Sequence, residues 1–346
     1  MSAYPSRRRV TLAGTALVAS AALALTACGS SSSSSTSSSG GGKVKLSLVA
    51  YSTPQAAYEQ IIAAFQKTDA GKNITFSQSY GASGDQSRAV LSGLNADVVA
   101  FSLEPDITRL VKKGLVAKDW NSDQYKGMVT NSVVVLATRK GNPKNIKTWD
   151  DLIKPGVQVI VPNPITSGGA RWDIMAAYGA VSNKGADKTA GVDYLKKLFK
   201  NVPVQDDSAR KSLQTFTNGK GDVLISYEND AIFAQQKGQP IDFTTPSATI
   251  LIENPAAVTA DSKHPKEAKA FLDFLHTKQA QQIYADNGYR PVVPGVTSSK
   301  VTFTTPSGLF TIKDLGGWTS VTNTFFDPDK GIVTDIERSN GVSTSK

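Results

Sequence analysis

Residues 157–181 read VQVIVPNPITSGGARWDIMAAYGAV. Val157–Val161 is an apolar run of strand length, and from Asp173 onward the apolar residues recur at helical spacing. Between them the turn holds Ser167, Gly168, Gly169 and Arg171. Glycines in a turn give up more conformational freedom on folding than any other residue, so their presence needs a reason. Ser167 suits a helix N-cap, where its hydroxyl accepts from an N–H of the first turn. Gly168 and Gly169 behind it would let the backbone come close to whatever the turn faces. A strand that feeds a helix through such a turn is the unit of an α/β fold, and ligands in these folds sit at the carboxyl ends of the strands.

The unit recurs along the chain. Strand-length apolar runs fall at 44–50, 73–80, 97–101, 132–138, 157–161, 202–205, 222–227 and 248–253. Stretches with helical spacing fall among them, at 56–67, 86–94 and 267–287. The alternation predicts an α/β protein with mostly parallel sheets, and no internal repeat is evident. Two further junctions share the chemistry of the first. In SYGASGDQSRAV (79–90), Ser83 is expected as N-cap with Gln86 completing a capping box. In PVQDDSARKSLQTF (203–216), Asp207 or Ser208 precedes Ala209 and Arg210. A helix N-terminus carries roughly half a positive charge, so three converging ends offer roughly one and a half. That suits a small dianion. Ser and Gly are also ordinary turn residues, so one such junction says little; the argument rests on three of them.

With 346 residues, 40% hydrophobic and 19% charged, the chain can build one domain or two lobes. Its formal net charge of +9 raises the question of nucleic acid. Three of those charges, Arg7, Arg8 and Arg9, stand together at the start, and the rest are scattered among acids. No basic patch interleaved with aromatics is present, which argues against a nucleic-acid partner. After the arginines comes VTLAGTALVASAALALTAC (10–28), an apolar run ending in small residues and the only Cys of the chain. Residues 1–27 read as a signal peptide. Leu25–Cys28 resembles the lipobox of bacterial lipoproteins, which makes Cys28 the lipid-bearing residue. An uncleaved membrane anchor is the alternative, and either way the body lies outside the cytoplasm. Residues 28–42, the Cys with a Ser/Gly run, read as a flexible tether. The export route, general or twin-arginine, stays open.

Catalytic readings find little support. The only histidines, His264 and His276, are far in sequence from the Ser turns. GASGD lacks the final Gly of a nucleophile elbow. One Cys and two separated His cannot form a zinc cluster, and no G-x-x-x-x-G-K-[ST] loop occurs. No enzyme activity, cofactor or metal is expected.

From about Leu46 to about Ile336 the chain resembles the sulfate-binding proteins that serve bacterial ABC importers of sulfate and thiosulfate, within the type II periplasmic binding proteins. The segments that carry the resemblance are SYGASG, ADVVA, RKGNPKNIKTWDDLIKPGVQVIVPNPITSGGARW, LFKNVPV, GDVLISYEND, YRPV and DLGGW. The resemblance implies two lobes, each a mostly parallel sheet flanked by helices, with sulfate buried in the cleft between them and held by neutral donors. Carried over residue by residue, it assigns the ligand the hydroxyl and N–H of Ser83, the hydroxyl of Ser167, and the N–H groups of Gly168, Gly169 and Ala209. It further implies a first lobe from residues 43–132 and 244–346, a second from 133–243, crossovers near Ser132 and Phe243, and a membrane permease as partner. A tethered monomer is expected.

Two positions depart from the family pattern. Tyr227 in YEND stands where a Trp is common, and Thr53 in YSTPQ stands where an Asp is usual. Tyr replaces a group that only donates with one that donates or accepts. Sulfate is fully ionised at neutral pH and asks for donors alone, whereas hydrogen phosphate carries a proton that needs an acceptor. Anion preference therefore turns on these two residues, and phosphate or molybdate is the alternative ligand. Arg171 and Arg210 are expected to pair with acids such as Asp173 or Asp206 and not to touch the anion.

Overall fold

The twelve-residue strand Met128–Arg139 organises the molecule, because it pairs with one set of strands in its first half and another in its second. In the computed structural model, which describes residues 43–342 and 344, the strands are β1 (Val44–Tyr51), β2 (Ile74–Gly81), β3 (Val98–Ala100), β4 (Met128–Arg139), β5 (Val159–Ile160), β6 (Val223–Tyr227), β7 (Ile241–Thr244) and β8 (Leu251–Val258). The helices are α1 (Gln55–Phe65), α2 (Ser83–Leu91), α3 (Glu104–Val111), α4 (Gly168–Val181), α5 (Lys188–Lys200), α6 (Ala209–Thr217), α7 (Glu228–Gln236), α8 (Pro265–Leu275), α9 (Lys278–Asp286), α10 (Gly317–Phe325) and α11 (Ile332–Ser339). The expected leader, tether and Cys28 lie outside the described residues.

The strand order is β2-β1-β3-β8-β4-β6-β5, with β7 also on β4. β1–β2, β1–β3 and β5–β6 are parallel, as alternating strands and helices predict. The middle is antiparallel: β8 runs against both β3 and β4, and β4 against β6 and β7. Both faces of each arm are covered, which is why the strands read as continuous apolar runs. On β4, Val134 and Leu136 enter a core with Trp172, Met175 and Leu195, while Val133, Val135 and Ala137 face Leu213 and Phe216. On β1, Leu46 and Leu48 pack with Ile61 and Phe271, while Val49 faces Ile107 and Leu110.

β4 and β8 carry the chain between the two arms. Ser132 and Val133 pair with Ile252 and Leu251 of β8, and from Val134 onward β4 pairs with β6. The partner of β4 thus changes between Val133 and Val134, next to Ser132. Phe243, near which the second crossover is expected, pairs with Ala137 inside the β6–β7 arm; the chain returns through β8. The C-terminal stretch, expected with the first lobe, packs otherwise. Phe310, Trp318, Val321, Phe325 and Ile336 join the same core as Trp172, Tyr178 and Tyr194. The apolar faces of α10 and α11 find their cover on α4 and α5, and Trp318 meets Trp172 edge-on at 4.6 Å.

Three smaller expectations also change. Residues 202–205 form only a bridge from Val204 to Ile160. The helix expected over 267–287 breaks at His276, and the Thr277 hydroxyl caps α9 by accepting from Ala280 N–H. β7 was not foreseen, its four residues being too short to stand out as an apolar run.

Candidate functional site

The turn after β5 is tied to both of its counterparts by a single residue. The carbonyl of Thr166 accepts from Gly84 N–H at 2.9 Å, and its hydroxyl donates to the carbonyl of Asp207 at 2.6 Å. The three junctions picked out by sequence are thereby held against one another. Thr166 itself carried no signal, since its importance comes from partners far along the chain.

Ser167 caps α4 as expected, its Oγ accepting from Ala170 N–H. Gly168 follows at a close approach: a Cβ there would fall 2.1 Å from Ser102 Oγ and 2.4 Å from Leu103 Cδ2. Gly169 differs. A Cβ on it would sit 3.3 Å from Ser167 Oγ, 3.6 Å from Ala209 Cβ and 3.6 Å from Tyr227 Cε1. Ser167, Gly169, Ala209 and Tyr227 therefore border one small space. The amides of Gly168, Gly169 and Ala209 belong to first helical turns, whose N–H groups have no acceptor within the helix. Ser208 is the cap of α6, accepting from Lys211 N–H.

Ser83 is brought to the same place but does not cap. β2 runs on to Gly81, so Ala82 takes the N-cap position with extended backbone and Ser83 becomes the first residue of α2. Its hydroxyl donates to Asp106 Oδ2 at 2.6 Å and accepts from Ser102 N–H at 3.0 Å. Gln86 completes no capping box; its amide donates to Ser79 Oγ. Ser102 is the centre of this half of the site. Its carbonyl accepts from Trp172 Nε1 at 2.7 Å and from Asn254 Nδ2 at 2.9 Å, while its hydroxyl is buried without a partner.

Tyr227 ends β6 and is 1% exposed, and its hydroxyl has no hydrogen-bond partner. Burial first, and then the neighbouring Asp173 carboxyl, hold that phenol well above its usual range. It remains a protonated donor, with the side chains of Ser102 and Asn254 beside it. Thr53 is buried too, with Oγ1 3.2 Å from Tyr289 Oη and its carbonyl accepting from Arg210 Nη2 at 2.7 Å. Arg210 reaches Asp230 at 3.3 Å and lies 4.0 Å over the Phe233 ring, leaving Nη1 buried and unpartnered. Its acid is thus Asp230, whereas Asp206 accepts from Ser212 and Thr215. Arg171 has no acid within ion-pair distance among the described residues; its Nε donates to the carbonyl of Pro164.

Tyr51 Oη, Ser102 Oγ, Tyr227 Oη and Arg210 Nη1 are buried groups left unpaired, each able to donate to a guest. An unsatisfied buried polar group costs about 1–3 kcal/mol, so such a concentration marks a binding site. The carboxyls behind it, Asp173 and Asp230, are fully buried, and both are pushed up by burial. Asp230 raises Asp173 further, while Arg210 draws Asp230 back down. A cavity of about 530 Å³ lined by Ser52, Tyr80, Ala82, Ser208, Arg210 and Lys211 adjoins the site. His276 plays no part, being stacked on Tyr125 with Nε2 at the carbonyl of Met128.

A helix-flanked sheet in two arms, joined by strands that run through both and with a buried polar site where strand-to-helix turns meet, defines an α/β solute-binding protein. The family model described as bacterial extracellular solute-binding protein matches residues 46–290, and the chain belongs to that family. A sulfate-binding protein of Synechococcus elongatus is 44% identical over 92% of this chain and 94% of its own. A thiosulfate-binding protein of Pseudomonas aeruginosa is 37% identical over 80% and 88%. Among solved structures, the sulfate-binding protein SubI from Mycobacterium tuberculosis H37Rv superposes with a TM-score of 0.80 at 46% identity, covering 82% of this chain and all of that one.

Proposed function

We propose that this extracytoplasmic protein captures sulfate, with thiosulfate as the nearest alternative, and delivers it to the membrane subunits of an ABC importer. It is a binding protein and not an enzyme, as its relatives are named. The observation that carries the placement of the ligand is the space at Gly169, bordered by Ser167, Ala209 and Tyr227. An anion there would take N–H bonds from Gly168, Gly169 and Ala209, and hydroxyl bonds from Ser167 and Tyr227. Ser83 would add its N–H, together with its hydroxyl once that turns from Asp106. Thr53 acts at one remove, through its bond to Arg210.

Charge enters without contact. The first turns of α2, α4 and α6 each bring roughly half a positive charge toward the anion, and Arg210 balances the buried Asp230. Tyr227 serves as a donor, since its phenol is held protonated. The donor-only character favours sulfate: the proton of hydrogen phosphate would face another donor, at a cost of about 1–3 kcal/mol. Molybdate is ionised like sulfate, so the donor-only character does not separate those two.

The donors come from both arms, α2 from one and α4 and α6 from the other, with β4 and β8 between. Binding would therefore favour the closed arrangement by the contacts that exist only when the arms meet. We further propose that the arms are the two lobes of the clamp and that Cys28 carries the lipid that anchors a monomer to the outer membrane face. Labelling with a radioactive fatty acid tests the anchor: the native chain should incorporate it and Cys28→Ala should not, and equal labelling would refute the assignment. Calorimetric titration of Ser167→Ala with sulfate tests the site. A loss of about tenfold or more, the effect of one charge-assisted bond, is expected, and unchanged affinity would remove Ser167 from it.

A further inference from the structure

A cavity of about 240 Å³ opens along the seam where α3 meets α10. Arg109 and Lys112 of α3 line it with Arg171 of α4 and Thr319, Thr322 and Asn323 of α10. We infer that this seam is a second anion site, separate from the cleft, which takes a small tetrahedral oxyanion such as inorganic phosphate.

Charge balance is the first observation. Arg109 is paired with Asp106 at 2.8 Å, but Arg171 and Lys112 have no ion-pair partner among the described residues. Glu104 is the one carboxylate on the cavity wall, which leaves one positive charge unmatched. The second observation is polar. Thr322 Oγ1 is buried and has no hydrogen-bond partner, so a guest acceptor would satisfy it. The third is the state of Arg171. It is held to one side by its bond to Pro164 and by the Phe326 ring 4.9 Å from Cζ. Burial lowers its pKa to about 10, opposed by the pull of Asp106 and aided by repulsion from Arg109 and Arg88. An anion would relieve both penalties.

The occupant need not resemble the ligand of the cleft. The seam is open on one side and offers cationic groups, which accept a protonated oxyanion as readily as a fully ionised one. It also joins different cores: Ile107 and Leu110 of α3 pack with Val99, whereas Trp318 and Val321 of α10 pack with Trp172. A guest there would bridge the two.

Phosphate titration of the native protein carrying one equivalent of sulfate, followed by calorimetry, tests the inference. One phosphate should bind without displacing sulfate. In the double variant Lys112→Ala/Thr322→Val, phosphate affinity should fall at least about tenfold, the loss expected for even one bond to an anion, while sulfate affinity in the cleft is unchanged. Lys112→Ala alone, at an exposed position, should give a smaller loss and serves if the double variant misfolds. Absence of phosphate binding, displacement by phosphate of the one sulfate held in the cleft, or equal phosphate affinity in the variants would overturn the site. Should the protein bind no sulfate at all, the cleft assignment fails, and the effect of Lys112 on phosphate binding is still read on the free protein.

Discussion

Gly168 and Gly169 are neighbours in sequence but meet different surroundings. A methyl group on Gly168 would strike Ser102 and Leu103, whereas one on Gly169 would meet Ala209 and Tyr227 at ordinary contact distance and crowd only the Ser167 hydroxyl, at 3.3 Å, which must give by a few tenths of an ångström. Gly169→Ala should therefore fold with unchanged or raised thermal stability, since Ala is favoured over Gly in a helix by up to about 1 kcal/mol. The added methyl fills the space between Ser167, Ala209 and Tyr227, so sulfate affinity measured by calorimetry should fall at least about tenfold. Wild-type affinity would place the anion elsewhere. Tyr227→Phe separates stability from binding in the same way. It removes a buried hydroxyl without a partner, so the ligand-free protein should melt no lower than wild type. Sulfate binding should weaken by about 1.5–3 kcal/mol, as for a lost bond to a charged group, and unchanged binding would exclude Tyr227 as a donor. Ser167, Gly168 and Gly169 were legible in the sequence because capping and close approach are local. Ser102 was not: nothing in FSLE announces it, and its place is fixed by Trp172 and Asn254 from distant elements.

At the level of elements, the sequence located most strands but missed α3, α5, α7, α10 and α11, and it did not show how element ends are used. Ser83 has the composition of a cap, yet Asp106 from α3 claims its hydroxyl and Ala82 takes the capping position. The C-terminal helices α10 and α11 show a related limit, since even an amphipathic pattern tells that a face is buried and not against what. α11 docks there with a fully buried carboxyl. Glu337 accepts from Gln205 Nε2 at 2.7 Å through Oε1, while Oε2 has no partner. Burial pushes this carboxyl up to about 7, from about 4.5 in the open chain. Between those values the unfolded chain has released a proton that the folded protein retains, so this group's contribution is full below about pH 4.5 and is lost as the pH rises through about 7. Glu337→Gln should remove that part of the pH dependence of melting and stabilise the protein above neutrality. An identical pH profile for the variant would show that Glu337 is not buried as an acid. Gln205 lies in the loop leading to Ser208 and Ala209, which makes α11 a support of the anion site as well.

Across the whole molecule, the α/β class and three like strand-to-helix turns could be read from composition and spacing, whereas their meeting is seen in the bonds of Thr166. The antiparallel middle could not, because β8 reads like any other apolar run and its direction follows from pairings with β3 and β4 on opposite sides. That middle gives the clamp its geometry, placing α2 in one arm and α4 and α6 in the other. The central claim is that donors from both arms enclose one sulfate. Its most direct test is calorimetric titration of a soluble form beginning at Gly29, unfolded and refolded beforehand to remove any carried anion, with sulfate, thiosulfate, molybdate and phosphate. One sulfate should bind tightly, with phosphate unable to displace it. Silence toward both sulfate and thiosulfate, or displacement of sulfate by phosphate, would contradict a donor-only cleft closed by the two arms.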